Sequence, residues 1–216
     1  VPTLYLASTS PARKQILHDL GLQAIVLAPD VDEELAVAEM TEERTPEAVV
    51  TAMTEERTPE AIALHLARLK AESVLDPSLD GLVIGGDSVF HFEGQNYGKP
   101  LEPAVAKQRW LAMVGKNGTL FSGLWVIDHT GGTLVSGVGE VSHASVHFAD
   151  SIDDRDIDAY VATGEPLQVA GAFTLDARGG ALIDRIDGDP HAVVGMSGAS
   201  LRRLITALGH RYSDLW

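Results

Sequence analysis

Short apolar runs at residues 4–7, 24–28 and 81–89 alternate with longer amphipathic stretches, and this alternation restricts the chain's fold more than any other feature. Apolar runs this short, bounded by glycine and polar residues, read as buried strands. The stretches between them place apolar residues at helical spacing: Ile16, Leu17 and Leu20 in one, Ile62, Leu66, Leu69 and Val74 in another. Both open on a start signal, Ser10-Pro11 and Thr58-Pro59, in which a hydroxyl caps the helix and proline takes its first position. The first ends at Gly21. Downstream the pattern predicts a helix over 102–114, a β-rich stretch over 120–149 that turns at 128–132, and a helix over 153–162 stopped by Gly164. A strand over 182–186 and a helix over 200–208 ending at Gly209 follow. Strands alternating with helices around a hairpin-rich block predict an α/β protein with a mixed sheet, read as a single domain over residues 1–216.

Composition removes whole classes of function. The formal net charge of -15 lacks the basic surface that phosphate backbones require, so no nucleic-acid partner is expected. No apolar run approaches the length of about 18 residues that spans a bilayer, and the apolar start at 3–7 is too short for a secretory signal. The expectation is a cytoplasmic protein with no membrane partner. The chain has no cysteine, so any metal must sit on oxygen or imidazole.

The acidity is uneven, with residues 30–60 carrying eleven carboxylates against Arg44 and Arg57. Within this region Met-Thr-Glu-Glu-Arg-Thr-Pro-Glu-Ala occurs at 40–48 and again at 53–61. Two copies of so short a period do not make a solenoid. The segment 36–58 reads instead as an exposed acidic insertion holding a tandem duplication.

In open α/β sheets ligands collect outside the carboxyl ends of strands. Three segments fall there. Residues 8–14 combine Ser8, Ser10, Arg13 and Lys14 with a helix N-terminus, whose amides and dipole suit a phosphate. Gly85-Gly86-Asp87-Ser88 sets a carboxylate at the predicted end of its strand, where glycines admit a close ligand and Asp87 could take a proton or hold Mg²⁺. Asp32-Glu33 crowds another strand exit, and Gly98-Lys99-Pro100 presents one ammonium on a rigid turn. Taken singly, each has a plain structural explanation: a capped helix, an aspartate closing a turn, a surface lysine. No Walker-type loop is present. His143 and His147 have zinc-like spacing only on a helix, and they fall in the β-rich stretch.

Taken in order, Ser8-x-Ser10-Pro11-x-Arg13, Asp32-Glu33, Leu66-Ala67-x-x-Lys70-Ala71, Gly86-Asp87-Ser88-Val89, Gly98-Lys99-Pro100, Gly164-Glu165-Pro166 and Ala170-Gly171-Ala172-Phe173 resemble the Maf family of nucleoside triphosphate pyrophosphatases. The resemblance implies an elongated, two-lobed mixed α/β fold with a central cleft, like that of inosine triphosphate pyrophosphatases, and a homodimer. It implies hydrolysis of a nucleoside triphosphate to the monophosphate and pyrophosphate with Mg²⁺ or Mn²⁺. The matched positions make Asp87 the proton acceptor and Lys99 its catalytic partner. Ser8, Ser10, Arg13 and Lys70 become substrate contacts, and Glu33 with Asp87 the metal ligands. The family's association with septum formation supplies an alternative, a nucleotide-binding regulator of division that does not turn its ligand over. Three positions depart from the family pattern. Ala12 replaces a second arginine, a frequent histidine is absent around Lys116-Asn117-Gly118, and Asp176 stands where Gln or Glu is frequent. The last lies in the region associated with base choice, so nucleobase specificity does not carry over.

Overall fold

A computed structural model describes residues 1–40 and 57–216. The chain is an α/β protein with a mixed seven-stranded sheet in the order β2-β1-β3-β5-β6-β7, with β4 paired to β3. The strands are β1 (Thr3–Ala7), β2 (Ala24–Leu27), β3 (Gly81–Phe92), β4 (Gln95–Tyr97), β5 (Asn117–Asp128), β6 (Ser136–Phe148) and β7 (Ile183–Gly188). β1 runs parallel to both β2 and β3, whereas β4 on β3 and β7 on β6 are antiparallel. The helices are α1 (Pro11–Asp19), α2 (Glu33–Glu39), α3 (Pro59–Ser73), α4 (Pro103–Met113), α5 (Asp154–Ala162), α6 (Pro190–Val194) and α7 (Gly198–Ala207).

Helix starts follow the capping chemistry. The Ser10 side chain accepts from the Arg13 amide, Thr58 from Ala61, Asp32 from Leu35 and Asp153 from Asp156. α1 and α7 each stop before a glycine of positive φ, Gly21 at 77° and Gly209 at 85°. Of the acidic segment expected over 36–58, residues 36–39 are helical, in α2, and most of the duplication lies outside the described residues.

β3 corrects the sequence reading. The pattern predicts a strand that ends in a turn at Asp87, yet β3 continues to Phe92 and Asp87 stands within it. Its paired glycines make no turn. A Cβ on Gly85 would lie 2.1 Å from the Ala67 carbonyl oxygen of α3, and one on Gly86 would lie 3.0 Å from Arg13 Nε. Both glycines therefore serve close packing.

Two compact units divide the chain: residues 1–87, 122–142 and 195–216 form one, and residues 88–121 and 143–194 form the other. The first holds a small core of Tyr5, Ala7, Ala71, Val83 and Ile127. The second is built on aromatic residues. Trp110 meets Phe148 and Tyr160 edge-on at 5.4 Å each, and its indole N–H donates to the Ala172 carbonyl at 2.7 Å.

In the first unit, Glu140 of β6 ties down α7: it accepts from Ser200 Oγ at 2.9 Å, from Arg203 Nε at 3.0 Å and from a second guanidinium nitrogen. The Arg203 hydrogen bond holds the Glu140 carboxyl below its ordinary range, against the opposing effect of burial. A carboxyl whose folded pKa is depressed stabilises the fold above its unfolded pKa, and that stabilisation is lost as pH falls through the folded value. Glu140→Gln should therefore cost about 1 kcal/mol at neutral pH in urea denaturation. The difference from wild type should vanish in acid, where both side chains are uncharged.

Candidate active site

α3 lies on β3 with its Lys70 directed at Asp87. Lys70 Nζ donates to Asp87 Oδ1 at 2.5 Å and meets Glu33 Oε1, from the first turn of α2, at 2.7 Å. Lys70 and Asp87 are both buried, each 8% exposed, and Glu33 is half-buried. Charges withdrawn from water this far survive only when paired and hydrogen-bonded, and one ammonium between two carboxylates meets that condition.

Arg13, in the first turn of α1, is buried in the same unit. Its Nε donates to the Gly195 carbonyl at 2.8 Å and its Nη1 to Ser8 Oγ at 3.3 Å. Ser8 Oγ also accepts from the Ser10 amide at 3.2 Å. With its lone pairs engaged, the Ser8 hydroxyl keeps its proton for a further acceptor. Ser10 spends its oxygen on the α1 cap. Lys14 is exposed on α1.

Burial pushes the Asp87 pKa up, and Lys70 and Arg13 act against that push, while Glu33 adds to it. Burial likewise pulls Arg13 down, opposed by Asp87 and Glu33. Two carboxylates and two cations thus balance one another in one place. Such a cluster has no surplus positive charge for a polyanion, but its carboxylate oxygens are hard donors suited to a divalent cation. Among the described residues no group of three or more His, Asp or Glu side chains gathers as a complete metal site.

Lys99 belongs to the second unit, exposed between β4 and α4. Its turn is fastened from both sides. The Gly98 carbonyl accepts from Arg109 Nη1 at 2.5 Å and from the Gly171 amide at 3.3 Å. The Arg109 guanidinium also covers the Tyr97 ring at 4.7 Å, and the Leu101 amide donates to the Leu167 carbonyl at 3.0 Å. Glu165, from another motif segment, accepts from Thr174 Oγ1 at 2.5 Å and the Gly179 amide at 3.0 Å. It ties the stretch around Asp176 to its own turn.

Of the residues the sequence singles out, the structure brings together Ser8, Arg13, Glu33, Lys70 and Asp87, with Ser10 beside them as the cap of α1. Sequence reasoning misses the Gly195 carbonyl and Arg109. A backbone oxygen has no side-chain signature, and a single arginine within a helix carries none that sets it apart from a surface residue. His143 and His147 both lie on β6, the first against Phe121 and the second paired with Asp187 at 2.9 Å.

The family profile described as Maf-like protein matches residues 3–208. A protein of Leifsonia xyli subsp. xyli named nucleoside triphosphate pyrophosphatase is 48% identical, over 99% of this chain and 96% of its own length. Proteins of the same name from Nocardia farcinica and Synechocystis sp. are 40% and 41% identical, over 99% and 100% of this chain and 96% and 99% of their own lengths. With a family profile that covers nearly all of it and relatives matched along their full length, the chain belongs to the Maf family.

Proposed function

We propose that the protein hydrolyses nucleoside triphosphates at the α–β phosphate bond, releasing a nucleoside monophosphate and pyrophosphate, with the Asp87 cluster as its reaction centre. The observation that carries this reading is the ammonium of Lys70 held between Asp87 and Glu33, beside a buried Arg13. Full-length relatives named for this activity support the reaction. The resemblance also assigns Lys99 to the reaction as a catalytic residue.

Attack of water on the α-phosphorus needs a proton acceptor, a fixed geometry and positive charge for the departing pyrophosphate. Asp87 is the acceptor. Its Oδ1 is held by Lys70, which leaves Oδ2 to orient the water and take its proton as the new bond to phosphorus forms and the bridging bond breaks. Burial makes the carboxylate more basic, and the neighbouring cations Lys70 and Arg13 oppose that rise. Arg13, aimed by Gly195 and Ser8, and Lys70 stabilise charge on the phosphoryl oxygens, and the Ser8 hydroxyl donates to one of them. Lys99 grips the leaving pyrophosphate.

The donor set fits a divalent cation. Glu33 and Asp87 already converge on one positive group, and Mg²⁺ is commonly held by one or two carboxylates together with substrate phosphates and water. These two residues would hold Mg²⁺ or Mn²⁺, which supplies Lewis acidity and the surplus positive charge that the balanced cluster lacks. Among the described residues no helix is long and apolar enough to cross a membrane.

Pyrophosphate release from a panel of canonical and modified nucleoside triphosphates, with Mg²⁺ or Mn²⁺ and with chelator, tests the reading. Wild type should release pyrophosphate only with metal, and Asp87→Asn should lower kcat by about 10²–10⁴-fold with the fold intact. Nucleotide-induced thermal stabilisation without release from any substrate would instead identify a binding protein.

A further inference from the structure

We propose that Gly85 is a positioning residue for the reaction, because its missing side chain sets how closely α3 lies on the sheet and so holds Lys70 at Asp87. A Cβ at Gly85 would stand 2.1 Å from the Ala67 carbonyl oxygen, 2.8 Å from the Ala71 amide nitrogen and 2.9 Å from Ala71 Cβ. Ala67 and Ala71 flank Lys70 in one turn of α3, and both are fully buried. Side chains two residues apart on a strand share a face, so the bare position at Gly85 lies on the side from which Asp87 meets Lys70. An ordinary carbon-to-carbonyl contact is about 3.3–3.6 Å, so a methyl group there would lift this turn by roughly 1 Å. The Lys70–Asp87 bond, at 2.5 Å, would open with it. The stem of Lys70 cannot fully compensate, because α2 packs on α3 and brings Glu33 along with it. The ammonium is then drawn from Asp87 towards Glu33.

A second glycine supplies an internal control. A Cβ at Gly123 on β5 would stand 2.2 Å from the Ala63 carbonyl oxygen, pressing the same helix two turns before Lys70. Gly85 and Gly123 both seat α3, and only Gly85 lies beneath the turn that carries the catalytic ammonium.

The inference rests on the reading of Lys70 and Asp87 as groups of the reaction centre, and one set of variants separates the two. kcat and KM for pyrophosphate release are measured for wild type, Gly85→Ala, Gly123→Ala, Lys70→Met and Gly85→Ala/Lys70→Met, with thermal unfolding followed for each. Gly85→Ala should lose about 10–100-fold in kcat/KM. In the Lys70→Met background the same change should cost no more than about twofold, because the two act through one contact. Gly123→Ala should lower the unfolding temperature while keeping kcat/KM within about twofold of wild type. Equal losses from Gly85→Ala and Gly123→Ala, an undiminished Gly85→Ala loss in the Lys70→Met background, or a fully active Gly85→Ala would overturn the inference alone. A fully active Lys70→Met would overturn it together with the reading beneath it. Should Gly85→Ala fail to fold, Ala71→Ser thickens the seat from the helix side and takes its place in the cycle, with the same expected and contrary results.

Discussion

Withdrawing Asp87 and Lys70 from water costs several kcal/mol per ion unless each finds its partner at hydrogen-bonding distance. Most of the first unit's local detail follows from that requirement. α3 can deliver Lys70 only if its backbone lies almost on β3, which Gly85 and the alanines above it permit. The first turn of α2 supplies Glu33 to the same ammonium, and Asp32 fixes where that turn begins by capping it. α1 supplies Arg13, steered by a carbonyl from the segment before α7. Removing Lys70 would leave Asp87 buried with Arg13 as its remaining nearby cation, whereas removing Asp87 leaves Lys70 its ion pair with Glu33.

The electrostatics explain how so acidic a chain can handle a polyanion. Within the cluster the charges balance, so in the proposed reaction the substrate meets a locally near-neutral site rather than a basic surface. A divalent cation on Glu33 and Asp87 would turn that balance positive where the triphosphate binds. In the proposed reaction the burial that raises Asp87 serves the same chemistry, since a more basic carboxylate is a better proton acceptor. Structural cost and the proposed catalytic use thus meet in one pair of residues.

Much of this was legible in the sequence. Ser10-Pro11 and Thr58-Pro59 place the starts of α1 and α3 because capping is local chemistry, and the apolar runs locate β1, β2 and β3. Ser8, Arg13, Glu33 and Asp87 stand out by residue type and position, Lys70 only through the family resemblance, and the fold brings these five together. The end of β3 was not legible. Gly-Gly before a carboxylate looks like a turn, and only the carbonyl of a helix more than ten residues away shows that the glycines make room for packing. The Gly195 carbonyl and the fastening of the Lys99 turn by Arg109 were hidden for the same reason, since each depends on a partner distant in sequence. Lys99 itself carries its signal in the Gly98-Lys99-Pro100 motif and belongs to a different compact unit from Asp87.

A crystal structure of Asp87→Asn with a nucleoside triphosphate and Mg²⁺ would show where the substrate binds, because the variant should bind it without consuming it. The α-phosphate should lie beside Lys70 and Arg13, with the metal on Glu33. A fully occupied nucleotide seated elsewhere, with Lys70 and Arg13 touching no phosphate, would contradict it.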